Sequence, residues 1–184
     1  MSRINDLAMD FLSQQRIAVA GVSGTRETAA NLIYRTLRDQ GYEVYAINPH
    51  ARQFLGDPCY PGVASLPEKP DGLVIVTKPA IAEDLVRQCI EAGVPRVWLH
   101  CMLGTRPHLF KDLASKIGSV SPEAVRLCRE NGITVIPGSC PMQFLGDFGH
   151  TCMRGFLRMT GALEVPEAYT IKSPPLMSSD APVM

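Results

Sequence analysis

Residues 19–32, VAGVSGTRETAANL, are the part of the sequence best suited to binding an anion. A short apolar run ends at Gly21, a second glycine follows at Gly24, and a helical pattern begins a few residues later. A strand, a tight glycine turn and a helix N-terminus together present unpaired backbone N–H groups, which favour a phosphate. The third glycine of the dinucleotide fingerprint is missing, so the ligand has to be inferred from other positions.

The residues after the second predicted strand indicate which nucleotide fits. An NAD site usually has a carboxylate there to bind the ribose hydroxyls. Here the sequence reads INPHAR, in which Asn48 and Pro49 are followed by the basic residues His50 and Arg52. A basic pair favours a phosphorylated ribose, which both NADP and coenzyme A (CoA) carry. A solvent-exposed surface arginine is an equally good interpretation of Arg52.

A second group of residues could support chemistry beyond binding. His100 and Cys101 end the fourth predicted strand, Cys140 follows the fifth, and His150 and Cys152 lie in GHTC. We expect the first, fourth and fifth strands to lie side by side, so that His100 and Cys140 face one crevice. An imidazole there would lower the pKa of the thiol and create a nucleophile for persulfide, disulfide or acyl-transfer chemistry.

The same histidines and cysteines could instead bind zinc or iron, which accept thiolate and imidazole ligands. Neither alternative has the local spacing that makes such motifs specific. Packing around the tight GSCP turn is therefore the favoured interpretation, and neither a metal site nor a catalytic residue is predicted.

The composition excludes several classes of protein. Lysine plus arginine and aspartate plus glutamate balance at 18 each, so neither a nucleic acid nor an anionic membrane is indicated as a partner. No segment approaches the roughly 18 apolar residues that span a bilayer. The N-terminal pattern predicts an amphipathic helix over 4–13 rather than a signal peptide. The six cysteines form no C-x-x-C pair, which favours reduced thiols in a cytoplasmic protein.

Apolar runs alternate with helical patterns along the chain. The predicted strands cover 16–22, 42–48, 71–78, 94–101 and 132–138, and the predicted helices cover 29–40, 79–92 and a segment that begins after Ser121. This order predicts an α/β fold with a doubly wound, parallel, five-stranded, Rossmann-like sheet and right-handed crossovers.

The remaining segments extend this unit. The main domain is expected to cover 1–142, with residues 103–118 as an inserted loop. Residues 143–171 are expected to form a helical extension, because CMRGFLRMTGAL has helical spacing. The Pro/Ser-rich residues 172–184 are expected to be disordered.

Five segments in this order resemble the CoA-binding domain family, a Rossmann-like module. It occurs as small stand-alone bacterial proteins and within nucleotide-forming acyl-CoA ligases. The segments are IAVAGVSGTRE, GYEVYAINPHA, FLGDPCYPGVASLPEKPDGLVIVTKP, IEAGVPRVWLHCMLG and CRENGITVIPGSCP, and they cover about residues 14–142.

The resemblance implies coenzyme A or a short acyl-CoA as the ligand. Backbone amides around Gly21–Ser23 and the Ser23 hydroxyl would hold the diphosphate, and Arg26 would pair with a phosphate. Asn48 and Pro49 would border the adenosine, and His50 and Arg52 would be candidate contacts for the 3′-phosphate. The full set of expected binding residues is Gly21, Val22, Ser23, Gly24, Arg26, Asn48, Pro49, His50, Arg52, Thr77, Lys78 and Pro79.

Two features depart from the family pattern near the expected mouth of the pantetheine site. They are the insertion and His100, which stands where similar proteins tend to have glutamine.

The alternatives to a CoA-binding function are an NADP-dependent oxidoreductase subunit and a thiol- or persulfide-handling protein that uses Cys140. The missing third glycine and the lack of a substrate domain count against the oxidoreductase. The phosphohistidine of the ligases belongs to a separate domain, so that role is not assigned to His150. Exposed sheet edges are compatible with a homodimer.

Overall fold

Strands and helices alternate along most of the chain. The computed structural model describes residues 3–102, 118–145, 148–159 and 162–163. The strands are β1 (Arg16–Ala20), β2 (Glu43–Ile47), β3 (Gln53–Phe54), β4 (Asp57–Tyr60), β5 (Gly72–Ile75), β6 (Arg96–Leu99) and β7 (Thr134–Pro137). The helices are α1 (Arg3–Leu12), α2 (Ala29–Asp39), α3 (Pro79–Ala92), α4 (Pro122–Glu130) and α5 (Phe148–Met159). Short 3₁₀ turns cover Val63–Ser65 and Pro141–Gln143.

The described strands form one seven-stranded sheet in the order β3-β4-β2-β1-β5-β6-β7. Every neighbouring pair is parallel except β3 and β4, which form an antiparallel hairpin. The register places Ala18 of β1 between Tyr45 of β2 and Leu73 of β5. The predicted α/β fold with a doubly wound, mostly parallel sheet is therefore confirmed.

The predicted number of strands is too low, because the β3–β4 hairpin extends the sheet at one edge. β3 has only two residues, and β4 contains Asp57 and Pro58, which are residue types depleted in strands. The turn between them uses Leu55 and Gly56 at φ 53° and 86°. Such a short strand with unfavourable residues gives no periodic signal in a sequence.

The predicted neighbours of β1 also need correction. β1 pairs with β2 and β5, whereas β6 and β7 pair with each other on the far side of β5. The expectation that the first, fourth and fifth predicted strands lie side by side is therefore wrong. In a doubly wound sheet, the second half of the chain begins on the other side of the first strand. The third predicted strand, which is β5, therefore pairs with β1.

The sheet is covered on both faces, so residues that alternate along a strand enter different cores. Ile17 and Val19 of β1 pack with α1, α2 and α5, and Ala18 and Ala20 pack with α3 and α4. The helix α5 lies within residues 143–171, which were predicted to form a helical extension, and it overlaps the segment CMRGFLRMTGAL. Nearly all of the predicted insertion and the whole predicted tail lie outside the described residues. None of the described helices is long and apolar enough to cross a membrane.

Trp98 of β6 anchors α1 to the sheet. Its ring is completely buried, and its Nε1 donates to the carbonyl oxygen of Gly138 at 3.1 Å. The ring of Phe11 in α1 meets the indole edge-on, with 5.4 Å between the ring centroids. Asp10, the residue before Phe11, accepts two hydrogen bonds from the Arg96 guanidinium at 2.8 and 3.2 Å. The N-terminal helix is therefore part of the core.

A second set of contacts fastens the β3–β4 hairpin to α2. The Tyr34 hydroxyl and the Arg38 guanidinium both donate to the Asp57 carboxylate at 2.9 Å. These hydrogen bonds lower the pKa of Asp57, while burial and the nearby carboxylate raise the pKa of Tyr34. The rings of Tyr34 and Phe54 also pack edge-on, 5.1 Å apart. The hairpin is thus held by both polar and apolar contacts.

We expect Phe11→Ala to lower the free energy of unfolding by about 3 to 5 kcal/mol, because a buried aromatic ring is replaced by a cavity. The ring also packs tightly against β5, since a Cβ added at Gly72 would lie only 2.7 Å from it. The measurement is urea denaturation of both proteins. Met9→Ala is the control, because Met9 lies on the same helix with 64% of its surface exposed. A Phe11→Ala loss as small as that of Met9→Ala, about 0.5 kcal/mol or less, would contradict this description of the core.

Candidate functional site

The loop after β1, residues 21–28 (the glycine loop), begins at a position that admits only glycine. Gly21 has φ +103°, and a Cβ built there would lie 2.2 Å from the carbonyl oxygen of Val76. The Gly21 N–H donates to the carbonyl oxygen of Ile47 at 3.1 Å. The chain therefore turns in the narrow space between the ends of β2 and β5, where any side chain would collide with backbone.

The rest of the glycine loop is held by one buried side chain, Asn31 of α2, which is 3% exposed. Its Nδ2 donates to the carbonyl oxygens of Ser23 and Arg26 at 2.8 and 3.0 Å. Its Oδ1 accepts from the Ser23 N–H at 2.8 Å and from the Thr28 hydroxyl at 2.9 Å. Thr28 in turn caps α2 by accepting from the Asn31 N–H. Asn31 was not among the predicted site residues, although an asparagine on the apolar face of a predicted helix is a detectable signal.

Two of the predicted backbone donors for a diphosphate are already used within the protein. The N–H groups of Gly21 and Ser23 already donate inside the protein, to Ile47 and Asn31. An anion at this loop would therefore depend on other groups. The Ser23 hydroxyl, which accepts from the Thr25 N–H at 3.3 Å, and the Arg26 guanidinium stay predicted contacts.

A cavity of about 460 Å³, the main cavity, opens at the carboxyl ends of β1, β2 and β5. This is the switch point at which doubly wound sheets bind ligands. Predicted residues from three separate segments meet in its wall. They are Gly21, Val22, Ser23, Arg26, Asn48, Pro49, His50, Thr77 and Lys78.

Three predicted binding residues are not part of that wall. Gly24 lines a separate cleft of about 410 Å³ between the glycine loop and the β3–β4 turn. Pro79 is the first residue of α3, where it follows Lys78 as the helix starts. Arg52 is exposed beside β3, and its carbonyl oxygen accepts from the Cys59 N–H.

Asn48 connects the two loops that border the main cavity. Its Nδ2 donates to the carbonyl oxygen of Val22 at 2.7 Å, and its Oδ1 accepts from the His50 N–H at 2.8 Å. Both ends of the carboxamide are thus used within the protein. Asn48 therefore fixes the shape of the wall and the position of His50.

One wall of the main cavity comes from α3 and was not predicted. Ile81, Asp84, Leu85 and Gln88 line it. Their spacing of i, i+3, i+4 and i+7 places them on one helix face. That spacing was available in the sequence, but it carries no sign that the face borders a cavity rather than the core.

The charges near the main cavity favour an anion. Arg26 and Lys78 contribute cationic side chains to the wall, and Asp84 contributes a carboxylate. The Asp84 carboxylate is paired with Arg87 at 2.8 Å, which offsets its charge. A phosphorylated ligand would therefore meet a net positive wall.

His100 and Cys140 do lie on one cavity, but it is not the main cavity. They line a second cavity of about 280 Å³ with Met102, Met142 and the start of α2. Both are almost fully buried, at 4% and 3% exposure. Cys140 follows Ser139, which has a left-handed φ of 66°.

The other candidate residues do not extend this pair into a metal site. Cys152 is exposed on α5, and the side chain of His150 lies outside the described residues. Among the described residues, no group of three or more His, Cys, Asp or Glu side chains is placed to hold a metal ion.

A Rossmann-like α/β domain with a cavity at its switch point is the class of protein that these observations define. Residues 15–145 match the family model described as CoA binding domain. The match covers most of the chain, and the chain therefore belongs to the CoA-binding domain family.

Three relatives illustrate the range of this similarity. Acetate--CoA ligase [ADP-forming] I of Archaeoglobus fulgidus is 38% identical over 124 residues, which cover 67% of this chain but only 17% of the ligase. The uncharacterized protein YneT of Bacillus subtilis is 27% identical over 133 residues, covering 68% of this chain and 82% of YneT. A solved hypothetical protein from Pyrococcus horikoshii OT3 superposes with a TM-score of 0.64 at 27% identity, covering 76% of this chain and 87% of that protein.

We expect Asn31→Ala to loosen the glycine loop, because the substitution removes the hydrogen-bond partner of part-buried groups of Ser23, Arg26 and Thr28. The predicted loss of stability is about 1 to 3 kcal/mol, with faster hydrogen exchange at the Ser23 amide. Asn131→Ala is the matched control, since exposed Asn131 makes only a local side-chain bond to Leu127. Unchanged exchange at Ser23 in Asn31→Ala would show that Asn31 does not hold the loop.

Alkylation by iodoacetamide at neutral pH tests the thiol alternative. We expect exposed Cys152 to react first and Cys89 and Cys128 to react last, because burial raises the pKa of both thiols, that of Cys128 to about 12. Buried Cys140 is expected to react more slowly than Cys152. Mass spectrometry of tryptic peptides gives the order. Preferential modification of Cys140 would instead identify it as an activated nucleophile.

Proposed function

We propose that this chain binds coenzyme A or a short acyl-CoA in the main cavity. One observation carries the proposal. The glycine loop, the end of β2 and the start of α3 surround one cavity, and its wall contains cationic side chains. Its volume of about 460 Å³ lies within the range of small-molecule sites. The family membership and the similarity to an ADP-forming acetate–CoA ligase support the same ligand.

The diphosphate would lie at the glycine loop. Arg26 and Lys78 approach the cavity from two different segments, so together they can neutralise charge on both sides of a bound phosphate. The Ser23 hydroxyl would add a neutral donor. Because Asn31 fixes the loop before any ligand arrives, little ordering would be needed on binding.

The adenosine would lie toward the end of β2, beside Asn48 and Pro49. His50 is exposed at the rim of the cavity, where it could contact the 3′-phosphate. Arg52 is exposed four residues beyond Asn48 but outside the cavity wall, so its proposed contact with the 3′-phosphate is peripheral. No reaction is proposed for this site.

Calorimetric titration of the reduced protein with CoA, dephospho-CoA and NADP tests the proposal. We expect CoA to bind, dephospho-CoA to bind more weakly and NADP to bind weakest, because the wall suits a 3′-phosphorylated adenosine diphosphate. Arg26→Ala should weaken CoA binding about tenfold, as expected when a charge-assisted hydrogen bond of about 1.4 kcal/mol is lost.

Arg126→Ala is the control for the loss of a positive charge. Arg126 is paired with Glu123 and Glu130 on α4, away from the main cavity. It should leave CoA affinity unchanged. Binding of NADP without CoA would overturn the proposal, and so would equal weakening of CoA binding by both arginine substitutions.

A further inference from the structure

We propose that Gln88 and Asp84 on α3 bind the adenine base of a nucleotide in the main cavity. The inference rests on the proposed function, because it assigns the base of the bound nucleotide to the unpredicted α3 wall. Both side chains lie one helical turn apart on the face that borders the cavity. A planar base bound against this face would lie beside both side chains.

The orientation of the Gln88 carboxamide is fixed by the protein. Its Oε1 accepts from the Val63 N–H at 2.9 Å. The carboxamide also lies against the backbone of Gly62, where a Cβ would be only 2.5 Å from Oε1. Since Oε1 is used in this way, the Nε2 group remains as a hydrogen-bond donor, and no partner for it exists among the described residues.

Asp84 supplies the complementary acceptor. Its Oδ1 accepts from the Arg87 guanidinium at 2.8 Å. The carboxylate has a second oxygen that can accept from a ligand; the side chain is 72% exposed, and Asp84 lines the main cavity. The α3 wall thus offers one donor from Gln88 and one acceptor from Asp84, four residues apart.

This donor and acceptor match one edge of adenine. Adenine places a ring-nitrogen acceptor next to an exocyclic amino donor, so that Gln88 can donate to the ring nitrogen and Asp84 can accept from the amino group. Leu85, between the two polar residues, and Ile81 provide apolar contact for the ring. Pro61 lines the same cavity.

The same arrangement sets the direction of the bound molecule. A base held at Gln88 and Asp84 lies near the end of β2, and the phosphates then extend toward Arg26 and Lys78. The pantetheine arm would leave the cavity past the glycine loop. Binding of the base at Gln88 and Asp84 would therefore also position the diphosphate.

The test compares CoA with 1,N⁶-etheno-CoA, whose added ring blocks both the ring nitrogen and the amino group of adenine. We expect the native protein to bind CoA at least about tenfold more tightly, as measured by calorimetry, because two base contacts are lost. Gln88→Glu keeps an oxygen for the Val63 N–H but removes the donor. The ratio of the two affinities should fall toward one in this variant and in Asp84→Asn.

The ratio serves as an internal control, because CoA and its etheno derivative carry the same charge and respond equally to an altered surface charge. Glu91→Gln, on an exposed part of α3 outside the cavity, should leave the ratio unchanged. Equal affinity of the native protein for both ligands would overturn the base assignment while CoA binding stands. A ratio that persists in Gln88→Glu and Asp84→Asn would also overturn it, since steric exclusion of the added ring would then explain the preference. Failure of CoA itself to bind would overturn the proposed function and this inference together.

Discussion

The architecture of the site depends on the turn at Gly21. A Cβ there would lie 2.2 Å from the carbonyl oxygen of Val76, so β1 can end between β2 and β5 only with a glycine. The Gly21 N–H bonds to the end of β2 instead of to a ligand. This close approach brings the ends of three parallel strands together and directs the following residues over the edge of the sheet.

The glycine loop that follows borders three separate spaces. Ser23 and Arg26 line the main cavity, Gly24 lines the cleft beside the hairpin, and Thr28 lines the second cavity with His100 and Cys140. Because Asn31 bonds both ends of this loop, the shapes of all three spaces depend on one buried carboxamide. Its position on α2 couples the site to the packing of that helix against the sheet.

The sequence was sufficient to predict the fold, because the central strands are continuous apolar runs and the helix starts at Ala29 and Pro122 follow capping residues. It could not predict the β3–β4 hairpin, whose strands are short and contain Asp57 and Pro58. Three of the segments predicted from the sequence line the main cavity, because the ends of parallel strands meet at one edge of the sheet, whereas His100 lines the second cavity. Whether the Ser23 N–H faces a ligand or Asn31 depends on a tertiary contact, and whether α3 borders a cavity depends on how the helix packs. Neither property is encoded in local periodicity.

A crystal structure of the protein with bound CoA would test the proposed binding mode most directly. We expect electron density for the diphosphate within hydrogen-bonding distance of Arg26 and Lys78, with the adenine ring against the α3 wall. Density for the nucleotide in the cleft beside the β3–β4 turn, or in the cavity of His100 and Cys140, would contradict it.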